Sequence, residues 1–501
     1  MKKLILIIFT GLTFGMFSCE DILDLEPVSS LGYGSFWKNE ESAKVAAIAI
    51  HADMRDWGRT IWLMGEVRSD MWGGVGTENM ELSHGRDLVY QDISVEKVFF
   101  TNWANFYELL HHINDAIKYI PTIDFQSSDE KDYILGQVYG IRSYIYYVMV
   151  RTWGDVPLVL EPTESIDFQK LQKPRAPVKD VIDQIKNDLE VSLTYFGNKN
   201  YFQNNKRVYW SKAASLMLKG DVFIWSGTHC GGGTADYTQA KTALEELVGI
   251  AGLDLLLDFL SVFDYNNKNN DEIIYALDYE LDQASNWYSS LHARQLEISD
   301  LYDSHGNKMG MDLQLSGGNR YHPSDEVLNV LFEDSLDQRG ESTFIRLFRN
   351  PDATEYAASI SNKFLGVMLG GARRSIQDVP IYRYSYGLLL LAEAKNLLGE
   401  DPSNEINRIR ERAYGDNYDP SVHGYVNGTK DQNIEAILKE GLKEFASEGK
   451  RWWDLRRAGD EYVIKHNKYL QSGDEYKLLL PITREMIGRN PALKQTPEYG
   501  E

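Results

Sequence analysis

The strongest constraint on this chain's fold is a helical period that returns in segment after segment. Phe106, Leu110, Ile113 and Ile117 recur at spacings of four, three and four, and Pro121 closes that run. Val138, Ile141, Ile145 and Val148 repeat the pattern, as do Val181, Ile185, Leu189 and Leu193 behind Pro177. Ser211 stands as an N-cap before Ala213, Met217, Gly220 and Ile224, and Ala240, Leu244 and Leu247 form the next stripe. Further on, Tyr386, Leu390 and Ala394 lie on a helix that Gly399 ends, and Ile406, Ile409 and Ala413 follow. Near the start, Asn39 is placed to cap a helix over 41–57.

Three couples share one plan: a long helix, a turn with Gly or Pro, then a shorter amphipathic helix, over 137–195, 211–249 and 382–413. Ala213, Ala214, Gly220, Ala392 and Ala394 permit close helix contact. The expected fold is all-α, a tetratricopeptide-like scaffold of helix pairs interrupted by long irregular insertions. A generic helical bundle is the plainer alternative. Two stretches, 58–95 and 260–325, are rich in Gly, Asn, Asp and aromatics and do not read as helix. Ile273–Leu277 and 477–481 read as short strands. Irregular segments this long inside a compact protein usually carry function.

Several chemistries are absent from the pattern. A formal charge of −22 argues against nucleic acid, which needs clustered Lys and Arg. Cysteines stand at 19 and 230 alone, too few for a disulfide framework or a Cys-based zinc site. There is no G-x-S-x-G, no H-E-x-x-H and no phosphate-binding Gly-Lys-Ser/Thr loop. His229 and Cys230 adjoin in sequence, which does not make a dyad. His111 and His112 point to different helix faces. Residues 264–272 (DYNNKNNDE) lack the central Gly of a calcium loop. Glu444, Glu448 and Asp454 are carboxylates of the kind a glycosidase pairs, with nothing to select two of them. No catalytic residue, metal ligand or cofactor is assigned.

The aromatics are more informative. Tyr and Trp number 30 and 11. Trp57, Trp62 and Trp72 fall in or near the first irregular stretch. Asn286-Trp287-Tyr288 and Arg320-Tyr321-His322 fall in the second. A sugar has an apolar C–H face and a hydroxyl rim, so it wants a ring platform edged by Arg, Asn or His. The expected ligand-binding residues are Trp72, Asn286, Trp287, Tyr288, Arg320, Tyr321 and His322. The competing reading is that these rings pack the loops onto the scaffold.

The N-terminus carries a separate message. Lys2 and Lys3 precede an apolar run over 4–17, then Ser18 and Cys19. Such a run is too short to span a bilayer comfortably and reads as a secretory signal. It resembles a bacterial lipoprotein signal, in which the cysteine becomes the acylated first residue. Each acyl methylene buried adds about 0.8 kcal/mol of membrane affinity. The expected division is a signal peptide over 1–18, an anchor and tether over 19–34, and one body over 35–501. That body has a helical part at 35–255 and a part with loop insertions at 256–501. Glu20-Asp21 resembles the acidic tag that sends lipoproteins of Bacteroides-like bacteria to the outer face of the outer membrane.

From end to end the chain resembles the SusD/RagB outer-membrane nutrient-binding lipoproteins. The resemblance is carried by Ser35-Phe36-Trp37, by 65–70 (GEVRSD), and by Trp103, Tyr107 and Asn114. It continues in 142–158 (RSYIYYVMVRTWGDVPL), 382–399 (YRYSYGLLLLAEAKNLLG), 406–413 (INRIRERA), 437–456 (ILKEGLKEFASEGKRWWDLR), 480–482 and 490–495. Gly441-Leu442 and Phe445-Ala446-Ser447 depart from the usual pattern, in a helix expected to be structural. The resemblance implies a non-catalytic cell-surface protein that captures oligosaccharide or polysaccharide for a SusC-like TonB-dependent outer-membrane transporter. Some relatives serve peptide uptake, and an acidic surface would suit basic peptides. A surface glycosidase is the rival from another class. Binding loops vary within the family, so the site residues above rest on chemistry alone.

Overall fold

The structure, a computed structural model, describes residues 36–74, 82, 85–96, 102–164 and 171–500. The expected signal peptide, Cys19 and the tether lie outside the described residues.

The apolar stripes fold as helices. Helix α1 (Glu40–Trp62) starts at Asn39, whose side chain accepts the Ser42 N–H at 3.0 Å while Asn39 N–H donates back to the Ser42 hydroxyl. It packs on α2 (Ala104–Tyr119), which ends in a 3-10 turn at Pro121. Helices α3 (Ser128–Trp153) and α4 (Val178–Phe196) form one antiparallel-type pair, α5 (Lys212–His229) and α6 (Gly233–Val248) the next. After the insertion come α7 (Tyr384–Leu397) and α8 (Ser403–Tyr414), then α9 (Lys430–Phe445) and α10 (Arg451–Ala458), with two short helices, Asp460–His466 and Arg484–Arg489, behind them. Helix α6 leans directly on α7, so the third pair stacks on the second despite the insertion between them. The close approach is real: a Cβ on Gly220 would sit 2.5 Å from Leu244 Cγ on the paired helix.

Pair geometry is set at the turn after α3. Gly154 takes φ +74°, open to glycine at little strain. Asp155 then accepts the Val178 N–H at 2.8 Å, so it caps the following helix, α4, and not its own.

Two expectations need correction. Residues 58–67 are helical, since α1 runs to Trp62 and continues as a π-turn over Leu63–Val67. Burial of Ile61, Trp62, Leu63, Met64 and Val67 overrides the local Gly signals. Residues 477–481 form no strand. Glu475–Leu478 is a 3-10 turn, and Leu480 N–H donates to Thr152 O at the end of α3 instead of to a neighbouring strand.

The insertion holds short antiparallel ladders. Strand β1 (Ile273–Leu277) pairs with β6 (Val379–Arg383), β2 (Phe344–Phe348) with β3 (Tyr356–Ser361), and β4 (Val367–Leu369) with β5 (Ala372–Arg374). β1 was expected; the two hairpins were not. Gly370 and Gly371, both at positive φ, make the β4–β5 turn, the type I′ geometry that suits strand twist.

A buried ion network pins this insertion to the helices. Arg383 on β6 reaches Glu272 and Glu444, each at 2.6 Å, and Glu448 at 2.8 Å. Arg412 on α8 pairs with the same Glu272 and Glu444. Arg339 meets Asp337 and Glu440 at 2.7 Å, and Lys363 meets Glu448 at 2.8 Å. Buried ions are tolerated when each is paired and hydrogen-bonded, as here.

Candidate functional site

The aromatic trios converge under the loop insertion, but as packing. Tyr288 stacks on Phe364 at 3.9 Å between centroids, and its hydroxyl donates to Ser447 O at 2.6 Å. Trp72 meets Tyr321 edge-on at 5.5 Å and Trp62 at 6.2 Å. Asn286 is a clamp between two loops: its N–H donates to Ser375 O, its side chain donates to Gln377 O and accepts the Tyr288 N–H. His322 lies against the first irregular stretch, its carbonyl accepting the Gly74 N–H. Trp72, Asn286, Tyr288, Tyr321 and His322 each expose 5% or less, so none offers a face to a ligand. Their rings and amide hold the loops down, the packing alternative to ligand contact.

Trp287 and Arg320 are half-buried. Trp287 stacks on Tyr288 at 5.1 Å. Arg320, at φ +57°, forks onto Glu297, with Nη2 to Oε1 at 2.6 Å. Its charge is already met.

The usable chemistry sits one residue to either side. A pocket of about 200 Å³ is lined by Ser285, Ser289 and His292 from the loop after β1, and by Arg373, Arg374 and Ser375 at the end of β5. Gln314, Leu315, Ser316 and Leu365 complete it. Ser285 and Ser289 flank the Asn286-Trp287-Tyr288 trio, so the buried trio is the support and its neighbours are the lining. His292 is buried, its Nε2 has no hydrogen-bond partner, and burial pushes its pKa down to about 4. Arg374 is exposed and has no partner among the described residues. These are unengaged donors and acceptors around a small apolar surface, the combination a polyhydroxylated ligand requires.

A larger groove of about 610 Å³ lies at Trp103, Tyr107 and Pro157. Its polar groups are mostly engaged by the protein itself. Tyr107 donates to Pro157 O, Asn490 to Lys173 O, and Glu164 is paired with Lys118. The carboxylates considered for a glycosidase pair are engaged too. Glu444 and Glu448 belong to the buried network, and Asp454 binds Arg457 and Tyr386. His111 pairs with Asp115 and His112 with Asp53. Burial raises the Cys230 thiol pKa, which disfavours the thiolate.

Comparison with known proteins fits this architecture. The SusD family model matches residues 360–499, and a second, described as starch-binding associating with outer membrane, matches 24–218. A SusD superfamily protein of Bacteroides vulgatus, known from its crystal structure, is 34% identical at a TM-score of 0.84, covering 93% of this chain and 100% of that one. The chain belongs to the SusD family. A second SusD-fold relative, B. fragilis NanU, is 38% identical at a TM-score of 0.87, covering 95% of this chain and all of NanU. A SusD-like protein of Formosa agariphila is 26% identical, with 96% of each chain covered. In this SusD-family body, Ser285, Ser289, His292 and Ser316 fall between the two matched segments, while Arg373, Arg374 and Ser375 fall inside 360–499. The family's scaffold thus supports a pocket made largely from sequence outside the family models. Among the described residues no helix is long and apolar enough to cross a membrane.

Proposed function

We propose that this SusD-family chain is a cell-surface lipoprotein that captures oligosaccharide or polysaccharide and passes it to a SusC-like TonB-dependent transporter, without catalysis. Acylation of Cys19 anchors it in the outer membrane. The observation that carries the reading is the end-to-end likeness to SusD superfamily structures above 30% identity, joined to a family description as starch-binding and outer-membrane-associated. The Ser-, Arg- and His-lined pocket supplies the sugar site. Affinity for one site is modest, because a small polar pocket gains little after desolvation. Many copies on a surface compensate through avidity.

The test is retardation in native gels containing plant, host and microbial polysaccharides, with each mixture assayed for released sugar, and co-isolation of the lipoprotein with its transporter from membranes. Retardation by one glycan class without released sugar supports the reading. Released sugar overturns its non-catalytic part. Failure of every glycan, with binding of basic peptides instead, overturns its ligand class.

A further inference from the structure

We propose that the pocket selects an acidic sugar, one bearing a carboxylate or a sulfate, and that Arg373 and Arg374 hold its charge. This rests on the glycan-uptake reading and narrows it.

The chain carries 74 carboxylate residues against 52 Lys and Arg. Against that background, the described lining of this pocket has two guanidiniums and no carboxylate. Glu297, five residues beyond His292, is neutralised by Arg320 at 2.6 Å. Arg373 makes its hydrogen bonds to the carbonyls of Leu313 and Gly366, which fix its position and leave its charge uncompensated. Partial burial lowers its pKa and no anion raises it, the signature of a cation held without a counter-ion. Many buried and half-buried arginines of this protein meet carboxylates, as Arg142, Arg320, Arg339, Arg383 and Arg451 do, while Arg68 and Arg175, like Arg373, are held by carbonyls. Arg374, next in the chain, is exposed and has no partner among the described residues.

The rest of the lining suits a sugar body. The His292 ring nitrogen Nε2 is buried and without a partner, and a neutral imidazole can offer it to a hydroxyl as donor or acceptor. Ser285, Ser289, Ser316 and Ser375 add hydroxyls that can donate or accept, and Leu315 and Leu365 add an apolar patch. About 200 Å³ holds roughly one sugar ring, below the 300–1,000 Å³ of drug-sized sites. Arginine is the side chain best shaped for carboxylate or sulfate, through paired N–H donors.

The experiment is calorimetric titration of the full chain in detergent. The probes are carboxylated sugars (glucuronic, galacturonic and N-acetylneuraminic acids), a sulfated sugar (galactose 6-sulfate) and neutral glucose, galactose and N-acetylglucosamine. Oligosaccharides containing each are titrated alongside. The expected result is that one acidic class binds at least tenfold more tightly than every neutral sugar. R374Q should then weaken it tenfold or more at unchanged thermal stability, and Ser289→Trp, which fills the pocket, should abolish it. Which acid binds separates carboxylate from sulfate. Neutral glycan binding that R374Q leaves unchanged overturns the acidic selection and leaves the uptake reading standing. Acidic binding indifferent to both variants overturns the pocket assignment. Binding of no saccharide at all overturns both readings.

Discussion

Arg142 and Asp188 clasp each other through two parallel bonds of 2.7 Å, Nε to Oδ2 and Nη2 to Oδ1, between α3 and α4. Both are buried, and Asn114 and Gln184 fill the remaining positions on the pair. Removing one partner strands a buried charge. Arg142→Met should therefore lower stability by about 3–5 kcal/mol, read from urea unfolding, and pairing it with Asp188→Leu should recover much of the loss. A loss below 1 kcal/mol in the single variant would show the clasp to be ornamental.

Acid should loosen the core in a defined window. Burial works against the Asp337 carboxylate, yet Arg339 at 2.7 Å and Lys443 at 3.1 Å hold its pKa down to about 2. A depressed carboxylate stabilises above its unfolded pKa and stops doing so as pH falls through the folded value. About 2 kcal/mol should vanish between pH 4 and pH 2, with Glu444 adding in the same direction. Asp337→Asn should flatten that slope in melting curves while lowering stability at pH 7.

His51 gives a second window at milder pH. Its Nε2 accepts the Trp210 N–H at 2.9 Å and its Nδ1 meets Ala47 O at 2.7 Å, so the ring is neutral with its proton on Nδ1. Burial holds its pKa down to about 4. A depressed histidine stabilises fully above 6.5 and loses that contribution as pH falls toward 4, because the unfolded chain takes up the proton first. The expected loss is about 3 kcal/mol. His51→Gln should remove this step; parallel pH curves for the two proteins would refute it.

Gly65 has no room for a methyl. A Cβ there would lie 2.1 Å from Gly449 O and 2.5 Å from Trp453 Nε1. Gly65→Ala should cost roughly 1–3 kcal/mol by thermal unfolding. Gly488→Ala, in open space on the short helix Arg484–Arg489, should be neutral or slightly stabilising.

The supporting layer and the pocket are separable by mutation. Tyr288→Phe removes the hydroxyl that donates to Ser447 O and should lose about 1 kcal/mol while sugar affinity holds. Ser289→Trp should do the opposite. Should Tyr288→Phe weaken binding tenfold without lowering the melting temperature, Tyr288 would be a contact residue after all.

Much of the scaffold was legible because helix burial writes itself at period 3.6: the stripes at 138–148 and 181–193 became α3 and α4, and Asn39 and Ser211 became caps. The β4–β5 hairpin was not, since strands of three residues are shorter than any periodicity test. Of the aromatic trios, Asn286, Tyr288, Tyr321 and His322 are buried as packing, next to the pocket proposed as the sugar site. Aromatic content cannot tell a ring that stacks on a ligand from one that stacks on Phe364. The proposed pocket instead draws on Ser285, Ser289, Arg373 and Arg374, whose grouping becomes visible only when the loops are placed in space.

Glu66 accepts the backbone N–H groups of Ser447, Gly449 and Lys450 at 2.7–3.2 Å, and Trp62 and Tyr288 both donate to Ser447 O. The partners of Glu66 lie 381 or more positions downstream. A ribosome delivers Glu66 long before its partners, so the first helix must wait, unlatched, until nearly the whole polypeptide has emerged. Contacts at such separation close late and slowly. Truncation before residue 447 should therefore yield chains that fail to mature at all, not a shorter functional fragment.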